Sequence, residues 1–91
     1  MAADGFTVSV RCYGPAERAA GTRTVDVVVA EPATVTDVVV ALAAHPTAGA
    51  GLAPLLPRCA VAVGDEIVKP DHVVDPTNAD EVALLPPVAG G

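Results

Sequence analysis

The hydrophobic period of this chain changes between residues 30 and 35, and few folds accommodate that change. In "FTVSVRCY" (6–13), Phe6, Val8, Val10 and Cys12 alternate with Thr7, Ser9, Arg11 and Tyr13. A period of two over such a run predicts a strand with one buried face. "TRTVDVVVA" (22–30) repeats the pattern, with Val25, Val27 and Val29 inward and Thr24 and Asp26 outward. Val28 is the one apolar residue on the outer side. In "EPATVTDVVVALAAHP" (31–46) the period becomes helical, since Val35, Val38, Val39 and Leu42 fall at i, i+3, i+4 and i+7. Thr34 and Asp37 have capping-box spacing, in which each side chain accepts a backbone N–H of the other. Pro46 is expected to stop the helix just beyond His45. The β-branched "VVV" at 38–40 opposes a helix by ~1.5 kcal/mol. Burial of Val38, Val39 and Leu42 returns more than that, so a helix is predicted.

The remaining segments are shorter. "GPAERAAG" places Pro15 at a first helical position and Gly21 at a stop, which predicts one short helical turn. "TAGAGLAPLLP" reads as loop, with a turn that tucks Leu52, Leu55 and Leu56 under the sheet. "CAVAV" and "EIV" are strands joined by a two-residue hairpin turn at Gly64-Asp65. "KPDHVVDPTNAD" holds two Asp-containing turns around Val73-Val74. "EVALL" is the last strand, with Val82 and Leu84 inward and Ala83 and Leu85 outward, and Pro86-Pro87 end it by removing backbone donors. Two strands before one helix and three after it predict an α+β fold, a mixed five-stranded sheet packed on one main helix. Ninety-one residues suit one domain over 1–91, with 86–91 as an extended tail.

Charge and composition narrow the functional classes. Eleven acidic residues against five basic ones give a net charge of −6. That argues against nucleic acid, whose phosphates need clustered Lys and Arg, and points instead to solubility or to a partner with a basic face. The longest apolar run, "VVVALAA", is too short to span a bilayer, and "MAADGF" lacks a secretory pattern. A cytoplasmic protein without a membrane partner is expected. Cys12 and Cys59 form no CxxC pair and read as free, mostly buried thiols. Together with His45 and His72 they lack the close spacing of metal ligands, so no metal site is expected, and "DPTNAD" lacks the spacing of a calcium loop. Lys69 and Arg58 are either solvated surface charges or groups that orient the tail or contact acidic residues of a partner. No Ser/His/Asp set, carboxylate pair or phosphate-cradling glycine loop occurs, which argues against an enzyme acting alone, and no cofactor is expected.

The chain ends "LLPPVAGG". Glycine loses the most conformational freedom on ordering, so Gly90-Gly91 add little stability. Either this tail is accidental, or its use depends on the absence of side chains at Gly90-Gly91. These residues carry a resemblance. "DEVALLPPVAGG", the "AVAVGDEIV" hairpin and the insert "GPAERAAG" make the chain similar to the MoaD/ThiS family of β-grasp (ubiquitin-like) sulfur carriers. Within it, the chain resembles the branch of molybdopterin synthase small subunits.

The resemblance implies a mechanism. A ubiquitin-activating-type adenylyltransferase (MoeB-like) joins AMP to the Gly91 carboxylate, and a sulfur donor displaces AMP to leave a thiocarboxylate. The tail then enters the synthase large subunit (MoaE-like) and gives its sulfur to a cyclic pyranopterin phosphate. Gly90 and Gly91 would carry the chemistry, while Ala83, Leu85, Pro86, Pro87 and Val88 would meet the partner. Sulfur delivery to thiazole, cysteine or tRNA thiolation, and a plain ubiquitin-like binding module, remain as alternatives.

Overall fold

The computed structural model describes residues 5–86. Strand β1 (Gly5–Cys12) buries Val8, Val10 and Cys12, with Phe6 half-buried, as its alternation requires. It runs antiparallel to β2 (Thr24–Ala30), and Val8 faces Val27 while Val10 faces Val25. Between them lies the short helix α1 (Pro15–Ala20), with Pro15 in its first turn and Ala16 fully buried. Gly21 closes it at φ 78°, a left-handed conformation that favours glycine, and its N–H reaches the Glu17 carbonyl at 2.9 Å.

Strand β3 (Ala33–Thr34) leads directly into α2 (Val35–Ala43). The predicted capping box forms: the Thr34 N–H donates to Asp37 Oδ2 at 2.8 Å, and the Asp37 N–H donates to Thr34 Oγ1 at 3.3 Å. Val35, Val38 and Leu42 are buried and Val39 is half-buried, so burial outweighs the β-branched preference, while Val40 stays 62% exposed. The helix ends at Ala43, short of the expected stop at His45. Pro46 disfavours the helical conformation at the residue before it, and the His45 N–H tightens onto the Leu42 carbonyl at 3.1 Å.

The segment expected as loop contains a short helix, α3 (Gly49–Leu52), and a 3-10 turn, Leu56–Arg58. Leu52 and Leu56 are buried as predicted, whereas Leu55 is only half-buried. Strand β4 (Ala60–Val63) turns at Gly64-Asp65 into β5 (Glu66–Val68), with Val63 facing Glu66 across the turn. Gly64 has φ +63°, a conformation open to glycine at no steric cost. Val73–Val74 form β6, which pairs with β3 in a small second sheet that the sequence did not reveal. Pro76–Asn78 make the expected turn.

Strand β7 (Val82–Leu85) completes the main sheet, in the order β2-β1-β7-β4-β5. It runs parallel to β1 and antiparallel to β4, so the sheet is mixed and five-stranded with α2 as its main helix, as expected. The core lies between one sheet face and the helical segments; Leu42, Leu52, Leu84, Val8 and Val38 are among its fully buried side chains. No helix among the described residues is long and apolar enough to cross a membrane.

Candidate functional site

The site is built around β7, which occupies the centre of the sheet. Its side chains alternate as predicted: Val82 and Leu84 are buried, and Ala83 and Leu85 are half-buried on the other face. Residues directly opposite across strands share a face. Ala62 and Arg11 flank Ala83, and Ala60 faces Leu85. On β5, Ile67 faces Ala62 and is 69% exposed. The outer sheet face therefore has a low floor of alanines, Ala60 and Ala83 half-buried and Ala62 buried, between Leu85, Ile67 and Arg11. An apolar surface of this kind, rimmed by charge, fits a protein partner.

The rim is asymmetric. Asp65, Asp80 and Glu81 gather at the start of β7, where they share a cleft with Arg11, Tyr13 and Ala83. The Gly64 N–H donates to the Glu81 carbonyl at 3.1 Å, which ties the hairpin turn to this end. At the other end the chain leaves β7 through the half-buried Pro86. The register brings Arg58 and Lys69 to that end as well, since Arg58 precedes β4 and Lys69 follows the Val68–Val61 pair.

Both cysteines also lie at the exit end. Cys12 faces Leu84 in register, and Cys59 immediately precedes Ala60, the partner of Leu85. They are free; Cys12 is buried and Cys59 half-buried. Burial pushes the Cys12 thiol above its ordinary value, with smaller contributions from the charges of Cys59 and Glu17. Burial likewise raises Cys59. A raised thiol holds its proton near neutral pH and is a poorer nucleophile than an ordinary one.

The two histidines serve the backbone. Nδ1 of His45 accepts the Ala48 N–H at 3.0 Å and the Thr47 N–H at 3.2 Å, which shapes the turn after α2. The His72 carbonyl accepts the Val35 N–H at 2.9 Å. Among the described residues no group of three or more His, Cys, Asp or Glu side chains is placed to hold a metal. Of the expected site residues, Ala83, Leu85 and Pro86 are thus placed together, whereas Pro87, Val88, Gly90 and Gly91 lie outside the described residues.

Comparison with known proteins places this arrangement among relatives. A family model described as the ThiS family matches residues 10–91. SAMP1 from Haloferax volcanii is similar in structure, with a TM-score of 0.77 and 28% identity, over 94% of this chain and 100% of that one. The Haloferax volcanii HVO 2177 protein gives 0.75 and 25%, over 97% of this chain and 89% of its own. In a complex of subunits 1 and 2 of the molybdopterin-converting factor from Helicobacter pylori 26695, a chain shares the fold at 0.62 and 24%, over 94% and 100%. No curated protein matches the sequence.

Proposed function

The chain belongs to the ThiS family, and we propose on that premise that Gly91 carries sulfur as a terminal thiocarboxylate for molybdopterin synthase. In this reading the Gly91 carboxylate oxygen attacks the α-phosphate of ATP, and pyrophosphate leaves. A donor sulfur then forms a C–S bond to the activated carbonyl as the C–O bond to AMP breaks. The thiocarboxylate sulfur bonds to a carbon of a cyclic pyranopterin phosphate in the large subunit and displaces an oxygen substituent there. Water then cleaves the acyl C–S bond, which leaves sulfur on the pterin and restores the Gly91 carboxylate. The chain acts as a protein co-substrate, with an adenylyltransferase and the synthase large subunit supplying the catalytic groups.

The observation that carries the reading is the match of the family model through the terminal Gly90-Gly91. The central position of β7 supports it, because the strand that leads into the tail is held on both sides. The apolar outer face beside the exit gives the large subunit a surface to hold while the tail is engaged.

Intact mass after co-expression with an adenylyltransferase and a sulfur donor tests the carrier chemistry. The full chain is expected to exchange one terminal oxygen for sulfur, as is Cys12→Ser, while a chain lacking Gly91 stays unchanged. Loss of the exchange in Cys12→Ser overturns the tail mechanism. Addition of a synthase large subunit then tests the pathway through formation of the dithiolene. Leu85→Asp is expected to abolish co-elution with that subunit while retaining the cooperative melt of the parent chain.

The likeness to a protein whose structure is described as small archaeal modifier protein 1, at 27% identity, favours a second reading, in which the tail modifies other proteins. Gly91 would then form an amide with a lysine of another protein. Isopeptide adducts that join the Gly91 carbonyl to target lysines, with no dithiolene formed, decide for the modifier.

A further inference from the structure

The sheet has two edges of unequal length. β5 spans three residues, whereas β2 spans seven and pairs only with β1 among the described strands. The β1–β2 register runs without a bulge from Gly5–Ala30 to Arg11–Thr24. A long edge presents a row of unpaired N–H and C=O groups that templates another strand, unless bulges, prolines or charges blunt it. Within β2, Asp26 is the only charged residue.

The surface beside this edge is apolar and low. Two adjoining hollows of about 340 and 430 Å³ follow the seam between β2 and α2, and both are lined by Val28, Ala41 and Ala44. Val28, at 71%, is the most exposed of the large hydrophobic residues described. Val40 extends the apolar lining along α2.

We infer that the β2 edge and its seam with α2 form a docking site for an extended apolar peptide segment with basic flanks, supplied by a partner protein and bound as a sixth strand. An added strand points alternate side chains to opposite sides of the sheet. One set enters the hollows over Ala41 and Ala44, whose small side chains leave room for Val or Ile, and the other set meets Val28. Main-chain hydrogen bonds supply affinity and the hollows supply selectivity.

Charge selects the occupant. Asp26 and Asp37 line the hollows, and the exposed Glu31 lies between β2 and β3. Arg23, the cation at the start of β2, is already 3.7 Å from Glu17. A basic segment is drawn to such a rim, and an acidic one is repelled. The same charges oppose a second copy of this chain: antiparallel pairing of two β2 strands about Val27 brings both Asp26 residues into one short segment, and each chain carries −6. The site lies on a different strand from Ala83 and Leu85, so it does not depend on the sulfur-carrier reading.

The probe is a synthetic peptide of alternating valine and threonine flanked by lysine pairs, compared with the same peptide flanked by glutamates. Titrated into isotope-labelled full chain, the lysine peptide is expected to shift the amides of residues 24–30 and 40–44 and to slow amide exchange along β2. It should bind about tenfold tighter than the glutamate peptide at low salt, with the gap closing at about 0.5 M salt. Asp26→Lys is expected to invert that preference, and Val28→Ser to weaken both peptides about threefold. Both substituted positions are exposed, and the comparison of the two peptides on the parent chain does not depend on either variant. Equal affinities, absence of shifts along β2, shifts centred on Ala83 and Leu85, or self-association through β2 each overturn the inference.

Discussion

At Cys12 the alternation of β1 carries a thiol into the core opposite Leu84, and its burial was legible from the two-residue period alone. The effect on its proton was not, because that depends on the packing around it and on Cys59 and Glu17. With both thiols raised above 9.0, the folded chain holds their protons more tightly than the unfolded chain does. The stability that this contributes is complete below the unfolded value and is lost as pH rises through the folded values. Urea midpoints are therefore expected to hold steady near neutrality and to fall as the pH enters and passes the ordinary thiol range. Cys12→Ala should lower the plateau and flatten the fall. The Thr34–Asp37 cap was readable for a different reason: its partners are three residues apart, and such a cap contributes about 1 kcal/mol with no help from the rest of the fold. His45 gave no comparable signal, since its ring serves a turn whose shape depends on how α2 stops.

Among the elements, α2 and the two long strands announced themselves because each spans enough residues for a period to show. The small sheet of β3 and β6 did not. Each of its strands has two residues, too few for any period, and each exists because the other lies beside it. The short helix α3 was hidden for a related reason, as Gly49 and Gly51 make "GAGL" a poor helix by propensity. In the fold those glycines are required by contact: a Cβ at Gly51 would run into the Ala19 carbonyl of α1, and one at Gly49 into the Ala43 carbonyl of α2. Gly51→Ala, which raises helix propensity, is accordingly expected to destabilise the protein by about 1–3 kcal/mol through overpacking. A shift of the urea midpoint with an unchanged slope is the measurement. A stabilised variant would show that α1 and α3 can separate without cost.

For the molecule as a whole, the decisive fact is that the last strand lies in the middle. β1–β2 and β4–β5 are local hairpins, and β7 joins them by pairing with β1 on one side and β4 on the other. Val82 and Leu84 fill the core between the two halves, and loss of one such leucine costs about 2–5 kcal/mol. A chain that ends before Val82 is expected to lose its cooperative melt, while one that lacks only Gly90-Gly91 keeps it; calorimetry separates the two. Retained cooperativity without β7 would contradict the topology. The strands, the main helix, its cap and the hairpin turn follow from the order of residues, because each rests on spacings within a few positions. The role proposed for the terminal Gly-Gly rests on the sequence and the family match, since both residues lie outside the described ones. The order of the strands, the alanine floor beside Leu85 and the β2 edge, which pairs only with β1 among the described residues, were not legible in the sequence. Each joins residues far apart in the chain, and a pairing between distant segments is settled by which packing buries both faces together.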